Sequence, residues 1–153
     1  MFQTFTHFEI LMVEDDKTDA LYFQESVVGL EQHHFPKISV QVCTSIICAE
    51  ETLNSKKVDL VLLDLFLADS TDLQGLKRLV WLFPQTTIVI HSATYNEPLF
   101  RAAIGLGATD FIVKGSLNQK ELIRRLIDAK IAHDVRREVL NRLYKLSDSD
   151  LEH

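Results

Sequence analysis

The sequence predicts a doubly wound α/β domain, a five-stranded parallel sheet covered by helices on both faces. Short apolar runs alternate with helix-period stretches five times along the 153 residues. The runs are apolar at consecutive positions instead of every second one, which is the pattern of strands buried on both sides. Charged and hydroxyl residues stand directly after strands one, three, four and five, and in such sheets sites form outside the carboxyl ends of the strands.

Taken in order, Phe8 to Val13 reads as the first strand, closed by Glu14-Asp15-Asp16. Lys17 to Val28 is helix-periodic, with Gly29 as its stop. Ile38 to Cys43 is β-branched and forms strand two, and Ser45 to Asn54 forms helix two. Leu60-Val61-Leu62-Leu63 is strand three, ended by Asp64. Leu73 to Phe83 presents Leu76, Leu79, Val80 and Phe83 on one helical face and stops at Pro84. Thr87 to His91 is strand four, and Asn96 caps a helix that carries Pro98 in its first turn and ends at Gly107. Phe111-Ile112-Val113 is strand five. For the last helix, Ser116 with Gln119 and Asn118 with Glu121 are competing caps of capping-box type.

Composition narrows the class. Hydrophobic residues make up 46% of the chain, enough for one packed core. The net charge of −6 argues against broad nucleic-acid binding. No apolar run is long enough to span a membrane, and Met1 to Phe8 lacks the regions of a signal peptide, so a cytoplasmic location is expected. Cys43 and Cys48 show no metal-ligand pattern and read as small buried hydrophobes. His33 and His34 fall in an expected loop beside Pro36.

In the strand order 2-1-3-4-5, the flavodoxin-like arrangement, the residues after strands one, three, four and five share one rim. These are Glu14 and Asp15, then Asp64, then Ser92 and Ala93, then Lys114. Carboxylates so crowded repel unless a cation neutralises them, and Mg²⁺ (or Mn²⁺) suits an all-oxygen set. A carboxylate is also a nucleophile able to form an acyl phosphate. Lys114 offers a positive charge to phosphoryl oxygens, and the Ser92 hydroxyl and Ala93 backbone N–H offer donors. Singly, each residue has a plain reading: Asp64 as a turn residue, Glu14-Asp15-Asp16 as a solvated helix start, Phe111 as core. The coincidence of all of them on one rim carries the prediction.

Four segments, Ile10 to Asp16, Asp59 to Leu65, Ile88 to Ala93 and Gly107 to Lys114, together resemble the receiver domains of bacterial response regulators, the CheY-like family, over residues 8 to 130. The resemblance implies that Asp64 accepts a phosphoryl group from a phosphohistidine on a sensor histidine kinase or a histidine phosphotransfer protein. It implies Mg²⁺ held by Asp15, Glu14, Asp64 and the main-chain carbonyl of Phe66, with Lys114 on the phosphoryl group. Ser92 matches the switch hydroxyl and Phe111 the switch aromatic. Phosphorylation then repacks the face of helix four, strand five and helix five. Such a domain catalyses only its own phosphorylation and dephosphorylation. Ala68 and Asp72 depart from the family's common proline and glycine, and Gly115 stands where proline after a cis bond is common.

The final helix outruns the domain. Leu122, Ile123, Leu126 and Ile127 suit the sheet, while Val135, Val139, Leu143 and Leu146 continue at helical spacing. A helix from Asn118 to Leu146 would be about 40 Å long. Residues 117–145 carry eight basic and four acidic side chains, a solvated pattern that also fits a dimerising or linker helix; contact with nucleic acid is not favoured. The expected layout is a receiver domain over 1–130, a helical extension over 131–150 and a tag remnant over 151–153, with an output domain lying elsewhere in a longer native protein. The alternative class is a Mg²⁺-dependent phosphohydrolase using Asp64 as nucleophile. A haloacid-dehalogenase-like enzyme would want a second aspartate two residues on, where Phe66 stands.

Overall fold

The computed structural model describes residues 5–70 and 73–151. Asp72 and the last two residues of the expected tag, Glu152 and His153, lie outside the described residues. The strands are β1 His7–Val13, β2 Lys37–Cys43, β3 Leu60–Leu63, β4 Ile88–Ser92 and β5 Asp110–Val113. The helices are α1 Lys17–Ser26, α2 Ile46–Ser55, α3 Gln74–Leu82, α4 Glu97–Leu106 and α5 Gln119–Leu151. All strand pairs are parallel and the order is β2-β1-β3-β4-β5, as the sequence predicts.

Strand geometry sends successive side chains to opposite faces, so the consecutive apolar residues of β1 and β3 build two cores. Leu11, Val13, Val61, Leu63, Ile88 and Ile90 pack with Ile46, Ala49, Leu76, Leu79 and Ala103 from α2, α3 and α4. Phe8, Ile10, Met12, Leu60, Leu62 and Ile112 pack with Ala20, Phe23, Ile123, Leu126 and Ala129 from α1 and α5. The sheet is thereby clamped between helices, and the edge strand β2 is its more exposed part.

The helix starts are held by side chains. Asp16, Ser45 and Asn96 accept hydrogen bonds from the amides of Asp19, Cys48 and Leu99. Gly107 ends α4 at φ 118°, where a side chain would be strained and would press on Val80. Between the two caps offered for α5, the structure selects Asn118. Its Oδ1 accepts from the Glu121 amide at 2.9 Å while its Nδ2 donates back to Glu121 at 2.6 Å. The Ser116 hydroxyl instead donates to the Val113 carbonyl. Replacing Asn118 with alanine should therefore cost about 1 kcal/mol in urea unfolding, whereas Ser116→Ala should cost clearly less.

Two local features differ from the expectation. A 3-10 turn, Leu30–His33, stands where a loop was expected, entered through Gly29 at φ 80° and left through His34 at φ 68°. And α5 runs on to Leu151, so it is about 50 Å long. Its distal half exposes Val135, Val139 and Leu143 to solvent.

Candidate functional site

The sheet register builds the site. Val13 pairs with Leu63 and Leu63 with Ile90, so Glu14 and Asp64 leave the sheet side by side. The ladder continues one step past the strands. The Glu14 amide donates to the Cys43 carbonyl at 2.8 Å, the Asp64 amide to Val13 at 3.0 Å, and the Lys114 amide to Ser92 at 2.8 Å. The backbone under these three residues is thus fixed by the sheet, and loop motion does not set their spacing.

Lys114 is the hub of the side chains. Its Nζ lies 2.5 Å from Glu14 Oε1, 2.9 Å from Asp19 Oδ2 and 3.1 Å from Asp64 Oδ2. Asp15 points its Oδ2 to the Ala68 amide at 3.1 Å, and Asp64 Oδ1 accepts from the Phe66 amide at 3.1 Å. These bonds draw the β3–α3 loop over the acid cluster. Gly115 turns the chain at φ 78° after Lys114, and every peptide bond among the described residues is trans, so the site forms without the cis bond that proline favours there.

Electrostatics follow from burial. Glu14 is 1% exposed. Burial first, and the adjoining Asp64 second, push its carboxyl up to about 7. Burial also pushes Asp64 up, but the neighbouring Glu14, the Phe66 amide and Lys114 outweigh it and hold this carboxyl below the usual range. The pair therefore keeps its charge on Asp64, the more nucleophilic arrangement, and Glu14 takes up a proton near neutrality. Lys114 loses some basicity to burial but gains more from Glu14, Asp19 and Asp64, and stays charged.

The oxygens suit a small divalent cation. Glu14, Asp15 and Asp64 each offer one carboxylate oxygen, all within 4.8 Å of one another. Ligands about 2.1 Å from a Mg²⁺ are at most about 4.2 Å apart, so the set closes on the ion with a slight inward shift or through a bridging water at Glu14. The low proton affinity of Asp64 and the repulsion stored at Glu14 both favour a cation beside them.

The remaining expected residues are on the same rim without joining the cluster. Ser92 is fully buried and its hydroxyl accepts from the Thr94 amide at 3.2 Å; among the described residues no hydrogen bond links it to Asp64. Ala93 follows it, exposed. Phe111 is buried, its ring edge-on to Tyr95 and Phe100 with centroids 5.9 and 6.1 Å away. Phe66 is 49% exposed and is tied to Asp64 through its backbone amide. Sequence reasoning missed Asp19. It reads as an acidic first-turn helix residue, and only the packing of α1 on the sheet face it shares with α5 brings it to Lys114. His91 was also missed; burial, aided by the Lys114 charge, pushes its imidazole down to about 4.

A parallel five-stranded sheet with three acids and a lysine at its carboxyl rim defines a doubly wound α/β domain with an acidic, lysine-bridged site. The profile of the response regulator receiver domain matches residues 10–127, and the chain belongs to that family. No curated protein matches the chain. Among solved structures, the signal receiver domain of an HD domain-containing protein from Pseudomonas fluorescens Pf-5 is similar over 90% of this chain and 97% of its own, at TM-score 0.73 and 22% identity. A CheY-like receiver domain protein from Methanospirillum hungatei JF-1 covers 84% and 98%, at TM-score 0.69 and 16% identity. NtrX from Brucella abortus is 25% identical at TM-score 0.69, over 87% of this chain but 29% of its own. Among the described residues no helix is long and apolar enough to cross a membrane.

Proposed function

We propose that this receiver domain takes a phosphoryl group onto Asp64 from a phosphohistidine of a sensor kinase or phosphotransfer protein, in the cytoplasm, as a step of phosphorelay signalling. The observation that carries the reading is Lys114 Nζ set 3.1 Å from the buried, ionised Asp64, the two residues following β5 and β3 with backbones fixed by the sheet. An Asp64 oxygen attacks phosphorus, the P–N bond to the imidazole breaks, and the acyl phosphate remains on Asp64. Phosphoryl transfer asks chiefly for position and neutralised charge, and Lys114 gives a fixed cation for the phosphoryl oxygens. Glu14, Asp15, Asp64 and the Phe66 main-chain carbonyl would hold Mg²⁺, which supplies further neutralisation. The Ala93 N–H and the Ser92 hydroxyl are the next donors along the rim.

The readout of that event belongs to Ser92 and Phe111. Ser92 exchanges its Thr94 amide partner for the phosphoryl group, and the loop into α4 follows. Phe111 already packs inward against Tyr95 and Phe100, so this loop movement is felt directly on the α4–β5–α5 face.

The test is covalent. Incubation with Mg²⁺ and a small acyl or amido phosphate should add one phosphate by intact mass, lost in Asp64→Ala. Absence of the adduct, or fast multiple turnover of a phosphoester, would put a phosphohydrolase in its place.

The distal half of α5 fits a second copy of the chain, with an output domain beyond it. Val135, Val139 and Leu143 are each more than half exposed on one helix. Sedimentation of the full chain should show a dimer that Leu143→Asp converts to monomer; an unchanged monomer in both would remove the dimer.

A further inference from the structure

The two cysteines lie together. Cys43 ends β2 and Cys48 sits in the first turn of α2, and their sulfurs are 2.6 Å apart, close to the roughly 2.0 Å of a bonded pair. Cys43 is 1% exposed while Cys48 is half-buried, so a reagent in solution reaches Cys48 first. Thr52 closes the pocket from α2, its hydroxyl 3.4 Å from the Cys43 sulfur and bonded to the Cys48 carbonyl. We propose that Cys43 and Cys48 are a redox-active dithiol that closes to an intramolecular disulfide with a low-molecular-weight disulfide as oxidant. Pairs of this kind inside cells are commonly transient and sensory instead of structural.

The chemistry balances in two exchanges. The Cys48 sulfur, its proton released to water, attacks one sulfur of oxidised glutathione; an S–S bond to the protein forms and one glutathione thiolate leaves. The Cys43 sulfur, likewise deprotonated, then attacks the Cys48 sulfur and expels the second glutathione thiolate. Two electrons pass from the protein thiols to glutathione, and the two protons end on its thiols. Burial pushes the Cys43 thiol up to about 11 and keeps its thiolate scarce, so its reaction rests on the contact with the Cys48 sulfur, which makes it the second, intramolecular nucleophile.

The bond would act on the neighbouring loop. The amides of Ile46 and Ile47, between the two cysteines, donate to the Asp69 carboxylate at 3.0 and 3.3 Å. Asp69 belongs to the same loop that Asp15 and Asp64 hold. Closing the Cys43–Cys48 ring fixes the turn that presents these amides.

Trypsin releases both cysteines in one fragment, residues 38–56. After the full-length protein is treated with oxidised glutathione, this fragment, digested without reductant, should be lighter by two hydrogens and resist alkylation. Cys43→Ser should retain glutathione on Cys48. In the oxidised wild type, deuterium exchange at Ile46 and Ile47 should slow several-fold. Two alkylatable thiols after treatment, a glutathione adduct that never closes, or a cross-link only between chains would each overturn the proposal. Unchanged exchange after closure would overturn the link to Asp69. The wild-type measurement stands even where a cysteine variant fails to fold.

Discussion

Lys114→Met should lower the rate of phosphoryl acceptance by about a hundredfold, the scale for loss of one fixed charge at a reacting oxygen. It should also destabilise the domain by about 3 kcal/mol at pH 8, since removing one partner of a buried ionic cluster strands the others. Glu14 and Asp64 are both buried, and among the described residues no other cation is paired with either of them. The sign with pH is definite. Glu14 already binds a proton near 7, and loss of Lys114 removes a force that lowers this value. The folded variant thus holds more protons than its unfolded chain, and its stability should recover as pH falls from 8 to 5. Urea unfolding at the two pH values checks it. An equal deficit at both would mean that the lysine acts by packing, not by charge.

How much of this was legible in sequence depends on range. Leu60 to Leu63 can only be a strand buried on both faces, and Asp64 after it inherits a place on the rim; the same logic placed Glu14 and Lys114. Strand order then followed from the doubly wound pattern, and register put the three residues together. Asp19 was not legible. An aspartate three residues after Asp16 looks like part of a capped helix start, and its contact with Lys114 spans 95 residues. The Leu30–His33 turn is too short to show a period. Asn118 and Ser116 were equivalent caps until the Val113 carbonyl engaged the Ser116 hydroxyl. In sequence the cysteines look like separate small hydrophobes, because the turn from β2 into α2 that brings their sulfurs together has no signature of its own. For Asp19 the missing information is a contact between distant elements, and local pattern does not encode it.

The second large effect concerns His91, which stands one residue before Ser92 and faces Phe23 across the α1 side of the sheet. Its Nδ1 is buried and finds no hydrogen-bond partner among the described residues, so charging the ring within the fold is costly. With a folded value of about 4 against an ordinary 6.5, the unfolded chain binds the extra proton between these limits. His91 stability is therefore complete above pH 6.5 and is lost as pH falls towards 4, by about 3 kcal/mol in all. Glu14 works the other way. Its folded value of about 7 against 4.5 makes the folded chain bind more protons, so stability is lost as pH rises through that window, by a similar amount. Between 4.5 and 6.5 the two slopes oppose, and the wild type should be flatter there than either group alone would make it. His133, also held below its ordinary value by burial, adds a slope of the same sign as His91. Asp64 contributes only at lower pH and Lys114 only at high pH, outside this window. His91→Phe should consequently gain on the wild type by about 3 kcal/mol as pH falls from 6.5 to 4. Glu14→Gln should gain on it as pH rises from 4.5 to 7. Denaturant titrations of the three proteins across this range decide the matter: parallel curves would show that neither burial shifts a proton. Crossing curves would show that the fold keeps His91 neutral and Glu14 protonated through opposed burial effects, and that a cation arriving at the rim must displace a proton from Glu14.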